Sequence, residues 1–116
     1  MGNLLAALER QTFKDFETIV VDSGSSDRTV EIARAGRVKI IEIESRNFTF
    51  GHALNVGAEA ASGDYLVFAS AHVLPVDEHW LEKLLVSFAD KRVAMVYGRQ
   101  LGVVGVSKFS EQMDFR

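Results

Sequence analysis

The chain alternates short runs of β-branched and aromatic residues with longer stretches in which apolar side chains recur every three or four positions. In order, these predict helix, strand, helix, strand, helix, strand, helix, strand. Residues 3–11 carry Leu4, Leu5 and Leu8 on one helical stripe, and residues 16–21 form a strand closed by the turn sequence Asp22-Ser23-Gly24-Ser25-Ser26. Ser26 is placed to cap the next helix, Asp27 sits in its first turn where the helix dipole favours an anion, and Gly36 ends it. Residues 38–43 are the second strand. Phe50, Leu54, Gly57, Ala58 and Ala61 recur at helical spacing, so residues 50–61 are expected to lie on a sheet through a stripe rich in small side chains. Ser62-Gly63 stops that helix, and residues 65–69 read as a buried strand. Asp77 is the expected N-cap of a helix turned inward through Trp80, Leu81, Leu84, Leu85 and Phe88, and residues 93–97 are the last strand.

Such alternation predicts an α/β domain with a mostly parallel sheet and helices on both faces, in which ligands bind beyond the carboxyl ends of the strands. Three such ends carry chemistry: the Asp22 to Ser26 turn, the loop over residues 44–50, and Ser70-Ala71-His72. A Gly- and Ser-rich turn after a strand is, by itself, most simply a tight connection with a helix cap. It lacks both GxGxxG and GxxxxGK[ST], so it is neither a dinucleotide fingerprint nor a P-loop.

Composition narrows the field. At 116 residues the chain is expected to form a single domain, residues 1–116, and 47% hydrophobic with 25% charged residues argues against disorder, collagen or a coiled coil. Thirteen basic against sixteen acidic side chains give a net charge of −3, which argues against a nucleic-acid grip by bulk charge. Zero cysteines exclude disulfides, thiolate metal sites and cysteine nucleophiles, and fit a cytoplasmic location. The most apolar run, residues 65–76, is interrupted by Ser70, His72 and Pro75 and falls short of a membrane span. No targeting segment is visible at the start, and membrane association in a full-length form stays open.

Taken together, Phe16-Glu17-Thr18-Ile19-Val20-Val21-Asp22-Ser23-Gly24-Ser25-Ser26-Asp27-Arg28-Thr29 and the later block Phe50-Gly51-His52-Ala53-Leu54-Asn55-Val56-Gly57-Ala58-Glu59-Ala60-Ala61-Ser62-Gly63-Asp64-Tyr65-Leu66 resemble glycosyltransferase family 2, over nearly the whole chain. The resemblance implies a GT-A fold, a Rossmann-like sheet that binds a nucleotide-diphosphate sugar, here of uridine or thymidine type. It also implies transfer of the sugar, with inversion, to an acceptor the sequence does not name. Asp22 matches the family aspartate that hydrogen-bonds base or ribose, a task for an acceptor-only carboxylate. Ser23 stands where the commoner pattern has a second aspartate. Arg46 falls where the family often places a phosphate-neutralising cation, and Asn55 and His52 where it often places nucleotide-contacting polar groups.

The family's Asp-x-Asp, which holds a divalent cation on the diphosphate, aligns with Ser70-Ala71-His72. A hydroxyl and an imidazole are a poorer cage for Mg²⁺ than two carboxylates, so weak or absent metal dependence is expected. His72 is left two roles: ligating Mn²⁺, or donating a hydrogen bond to the diphosphate. The resemblance begins inside the family's first helix, so the first strand is expected to be missing and the general base to lie beyond Arg116. Glu111 and Asp114, the late carboxylates, read as exposed acids. The expectation is thus an incomplete transferase domain with little turnover of its own, which forms a homo-oligomer across the gap in its sheet. A non-catalytic nucleotide-binding or scaffolding module is the alternative.

Overall fold

The computed structural model describes residues 2–25 and 38–102. The expected helix starting at Ser26 and Asp27, and the late acids Glu111 and Asp114, lie outside the described residues. The chain divides into two compact units, Met1–Leu81 and Glu82–Arg116.

In the first unit, α1 (Gly2–Glu9) precedes β1 (Ile19–Asp22), and β1 pairs in parallel with β2 (Lys39–Glu42). The register sets Val20 beside Ile40 and Val21 beside Ile41, and the ladder runs on through Lys39 N–H to Thr18 O and Ile43 N–H to Asp22 O. Both strands are shorter than the apolar runs predicted, residues 16–21 and 38–43. A strand lasts only as long as its ladder partner runs alongside it.

Successive side chains on a strand face opposite sides, and here each side meets its own helix. Val20 clusters with Leu5 of α1, with Val38 and Ile40 packed against them. On the other face lies α2 (Phe50–Ala60), where a Cβ added at Gly57 would sit 3.4 Å from Val21 Cγ2. Helices therefore cover both faces of the parallel pair, the GT-A-like, Rossmann-like α/β arrangement expected.

The buried side of α2 follows the expected stripe in its second half and departs from it in the first. Gly57, Ala58 and Ala61 of that stripe are half-buried, with Ala53, Val56 and Ala60 beside them, whereas Phe50 and Leu54 are exposed. Small side chains let the helix backbone approach the strand at Gly57, and the bulky pair lies on the same stripe nearer the amino end of the helix. The amino end of α2 is capped by Thr49, whose hydroxyl accepts from His52 N–H at 3.0 Å. At the other end Lys39 Nζ donates to Ala60 O at 3.0 Å, while Ser62 N–H and Oγ–H donate to Glu17 Oε1 at 2.6 and 2.7 Å. Lys39 and Glu17 stand at the starts of β2 and β1. Helix α2 therefore runs antiparallel to the strands and opens at their carboxyl ends.

A third helix, α3 (Trp80–Val86), shows the burial pattern predicted: Leu81 is buried and Trp80, Leu84, Leu85 and Phe88 are half-buried. Its cap differs. Asp77 Oδ1 accepts from His79 N–H in a turn before the helix, and the orphan N–H of Leu81 donates to Gln11 Oε1 at 3.0 Å. Gln11 is buried; its Nε2 donates to Asp77 O at 2.8 Å, and Thr12 N–H donates to Glu78 O. A side chain seventy positions away thus accepts from the first turn of α3. Helix α1 stops at Glu9 and leaves Gln11 for that purpose.

Two predicted strands are not strands. Residues 65–69 and 93–97 have no regular structure, and Tyr65, Leu66, Val67 and Phe68 are each about half exposed or more. Among the described residues the sheet consists of β1 and β2, and neither segment has a ladder neighbour.

Candidate functional site

The carboxyl ends of β1 and β2 carry two loops that touch. After β1, the Asp22 carboxylate folds the turn over itself: Oδ2 accepts from Gly24 N–H and Ser25 N–H, both at 3.0 Å, and Oδ1 from the Ser25 hydroxyl. Gly24 has φ +92°, the left-handed region that favours glycine. A Cβ there would also come within 3.2 Å of Ser45 Oγ, so glycine is what lets this turn reach the loop after β2. Asp22 is buried at the strand end, and Ser23 beside it is half-buried.

The second loop is a single 3-10 turn, Ser45–Asn47. Glu44 Oε2 accepts from Arg46 Nε at 2.6 Å and Asn47 Nδ2 at 3.2 Å. That contact uses one edge of the guanidinium; the Nη groups of Arg46 have no partner among the described residues, and the side chain is largely exposed. The loop then passes through Phe48 and Thr49 into α2. Structure thus brings Asp22, Ser23 and Arg46 to one edge.

Asn55 and His52 are exposed on α2, His52 in its first turn. Ser70 and His72 are exposed in a turn closed by Val73 N–H donating to Ser70 O at 3.0 Å. Among the described residues no hydrogen bond or ion pair ties either to Asp22 or Arg46. His79 contacts Thr12 Oγ1 and Glu78, away from this edge. No group of three His, Asp or Glu able to hold a metal ion occurs among the described residues. A hydroxyl and an imidazole do not fit a protein-built cage for a hard divalent cation, so no step is assigned to one.

Sequence reasoning missed Glu44 as the side chain that orients Arg46, and Thr49 as a cap. Thr49 had a readable signal, a threonine directly before a helical run.

The sequence profile of glycosyl transferase family 2 matches residues 1–115. The chain belongs to that family. It is 34% identical to the O-antigen chain rhamnosyltransferase RfbN of Salmonella typhimurium, over 85% of this chain and 32% of that protein. It is 36% identical to the O-antigen chain rhamnosyltransferase WbaN of Salmonella anatum, over 82% of this chain and 30% of the relative. A 4,4'-diaponeurosporenoate glycosyltransferase of Staphylococcus haemolyticus is also 36% identical, over 77% of this chain and 25% of its own length. The chain therefore spans about a third or less of these curated relatives. No solved structure matches it. No helix among the described residues is long and apolar enough to cross a membrane.

Proposed function

We propose that this family 2 chain forms the donor-binding part of a glycosyltransferase that takes a nucleotide-diphosphate sugar of uridine or thymidine type. The observation that carries it is the meeting of the Asp22 turn and the Arg46 loop at the carboxyl ends of a parallel pair. In this reading the Asp22 carboxylate accepts from the nucleoside's ribose or base, with Ser23 and Asn55 as further hydrogen-bonding groups. The open Nη edge of Arg46 pairs with diphosphate oxygens, which match a planar guanidinium. Ser70 and His72 donate hydrogen bonds to the same diphosphate.

Transfer with inversion forms a bond from an acceptor oxygen to the anomeric carbon as the bond to the diphosphate breaks. The acceptor proton goes to a base not assigned among the residues here. The names of the two Salmonella relatives make a rhamnosyl donor the first to test.

Calorimetry with uridine and thymidine diphosphate checks the site. Asp22→Asn, which keeps an acceptor oxygen for the turn, should weaken binding by on the order of 1.5–3 kcal/mol, roughly 10- to 150-fold. Arg46→Ala, at an exposed position, should weaken it without changing the melting temperature. No binding by the unmodified chain, or equal affinity in all three proteins, would overturn the reading.

A further inference from the structure

Phe48 and Phe50 stand on the same edge and have no part in the site as proposed above. Their rings meet edge to face, with centroids 5.4 Å apart and planes at 70°. Yet Phe50 is 81% exposed and Phe48 41%. The backbone that carries them is tied on both sides: Phe48 N–H donates to Ser45 O, and Thr49 takes Ala53 N–H on its carbonyl and His52 N–H on its hydroxyl. Leu54, one turn after Phe50, is exposed as well, while Gly57, further along the same helix, packs against Val21 of the sheet. The pair is held in position without being packed. An isolated exposed apolar residue needs no explanation, but two rings in a defined mutual geometry at a ligand-binding edge do.

The charge beside them indicates what they face. Arg46, two positions before Phe48, has its Nε on Glu44 and its Nη groups without a partner among the described residues. An aromatic face next to an open guanidinium suits a planar base joined to phosphates: the ring stacks on the base, and the cation meets the phosphates.

Resting on the donor-site reading, we propose that Phe48 and Phe50 form the stacking platform for the base of the bound nucleotide. The base covers Phe50, and Phe48, edge-on, holds the Phe50 ring plane. Because stacking is tolerant of base identity, the platform supplies affinity for the nucleotide while hydrogen bonds select which one.

The test titrates uridine diphosphate and inorganic pyrophosphate into the unmodified chain, Phe50→Ala and Phe50→Tyr. Phe50→Ala should weaken uridine diphosphate about tenfold and leave pyrophosphate unchanged, while Phe50→Tyr, which keeps the ring, should hold the nucleotide affinity within about twofold. Unchanged nucleotide affinity in Phe50→Ala, or equal weakening of both ligands, would overturn the platform while leaving the donor site standing. Failure of the unmodified chain to bind uridine diphosphate would instead remove the donor site, and the platform with it.

Discussion

Residues 66–69, Leu-Val-Phe-Ala, are wholly apolar and residues 19–22, Ile-Val-Val-Asp, end on a charge, yet only the latter segment is a strand. Val20 lies in a core with Leu5 and has Ile40 beside it, whereas Val67 and Phe68 are about half exposed and have no ladder partner among the described residues. Extended backbone leaves every N–H and C=O seeking a partner outside its own segment, so a strand exists only where a neighbour supplies one. A helix closes its own hydrogen bonds. That is why α1, α2 and α3 appear close to where the pattern placed them while two of the four expected strands do not.

The sharpest way to break this contrast is to place the same kind of polar change in both segments. Val20→Asp puts a charge into the core and should cost at least about 4 kcal/mol, enough to unfold a small unit. Phe68→Ser should stay within about 0.5 kcal/mol, as surface changes do. Denaturant unfolding of the two variants reads both numbers. A large loss in Phe68→Ser would mean that residues 65–69 pack as the sequence pattern suggests.

A smaller effect is expected where a buried polar side chain does the joining. Gln11→Ala leaves Leu81 N–H and Asp77 O without their partner, and each unsatisfied buried group costs roughly 1–3 kcal/mol. The loss should appear first as faster amide exchange at Leu81. Gln11→Glu would offer the same acceptor but no donor for Asp77 O, separating the two contacts.

The smallest effect concerns the polar latch that holds the carboxyl end of α2 to the start of β1. Two hydrogen bonds from Ser62 hold the Glu17 carboxyl below its usual range, assisted by Lys39 nearby. A folded-state value below the unfolded one, about 4.3, means the latch stabilises fully above that pH and is lost as pH falls through the lowered value. Melting temperatures of the unmodified chain and Glu17→Gln should therefore differ at pH 7 and converge once the pH has fallen through the lowered value. A gap that persists in acid would show that the carboxylate charge is not what holds the latch.

Much of the candidate site could be read in the chain. Asp22 at a strand end, followed by serine and glycine, marks a turn on the ligand edge, and Arg46 follows the next strand in the same way. The contacts that give these residues their duties were less visible. Nothing in the spacing says that Gly24 approaches Ser45, that Glu44 takes one edge of Arg46, or that Phe50 is left exposed at the amino end of α2. Each depends on two backbones being brought together by the β1–β2 pairing and the helix packed on it. The roles proposed for Ser70 and His72 depend on just such a juxtaposition.

By itself the sequence determined the family, the helices with their apolar periods, and the positions of the turns, because these depend on residues within a few places of one another. Tertiary structure decided which apolar runs became strands, how much of the α2 stripe was covered, and that Gln11 accepts from a helix seventy residues away. Those outcomes follow from partners distant in sequence, where hydrogen bonds and close packing are set by what the folded chain places alongside, and no local pattern records that choice.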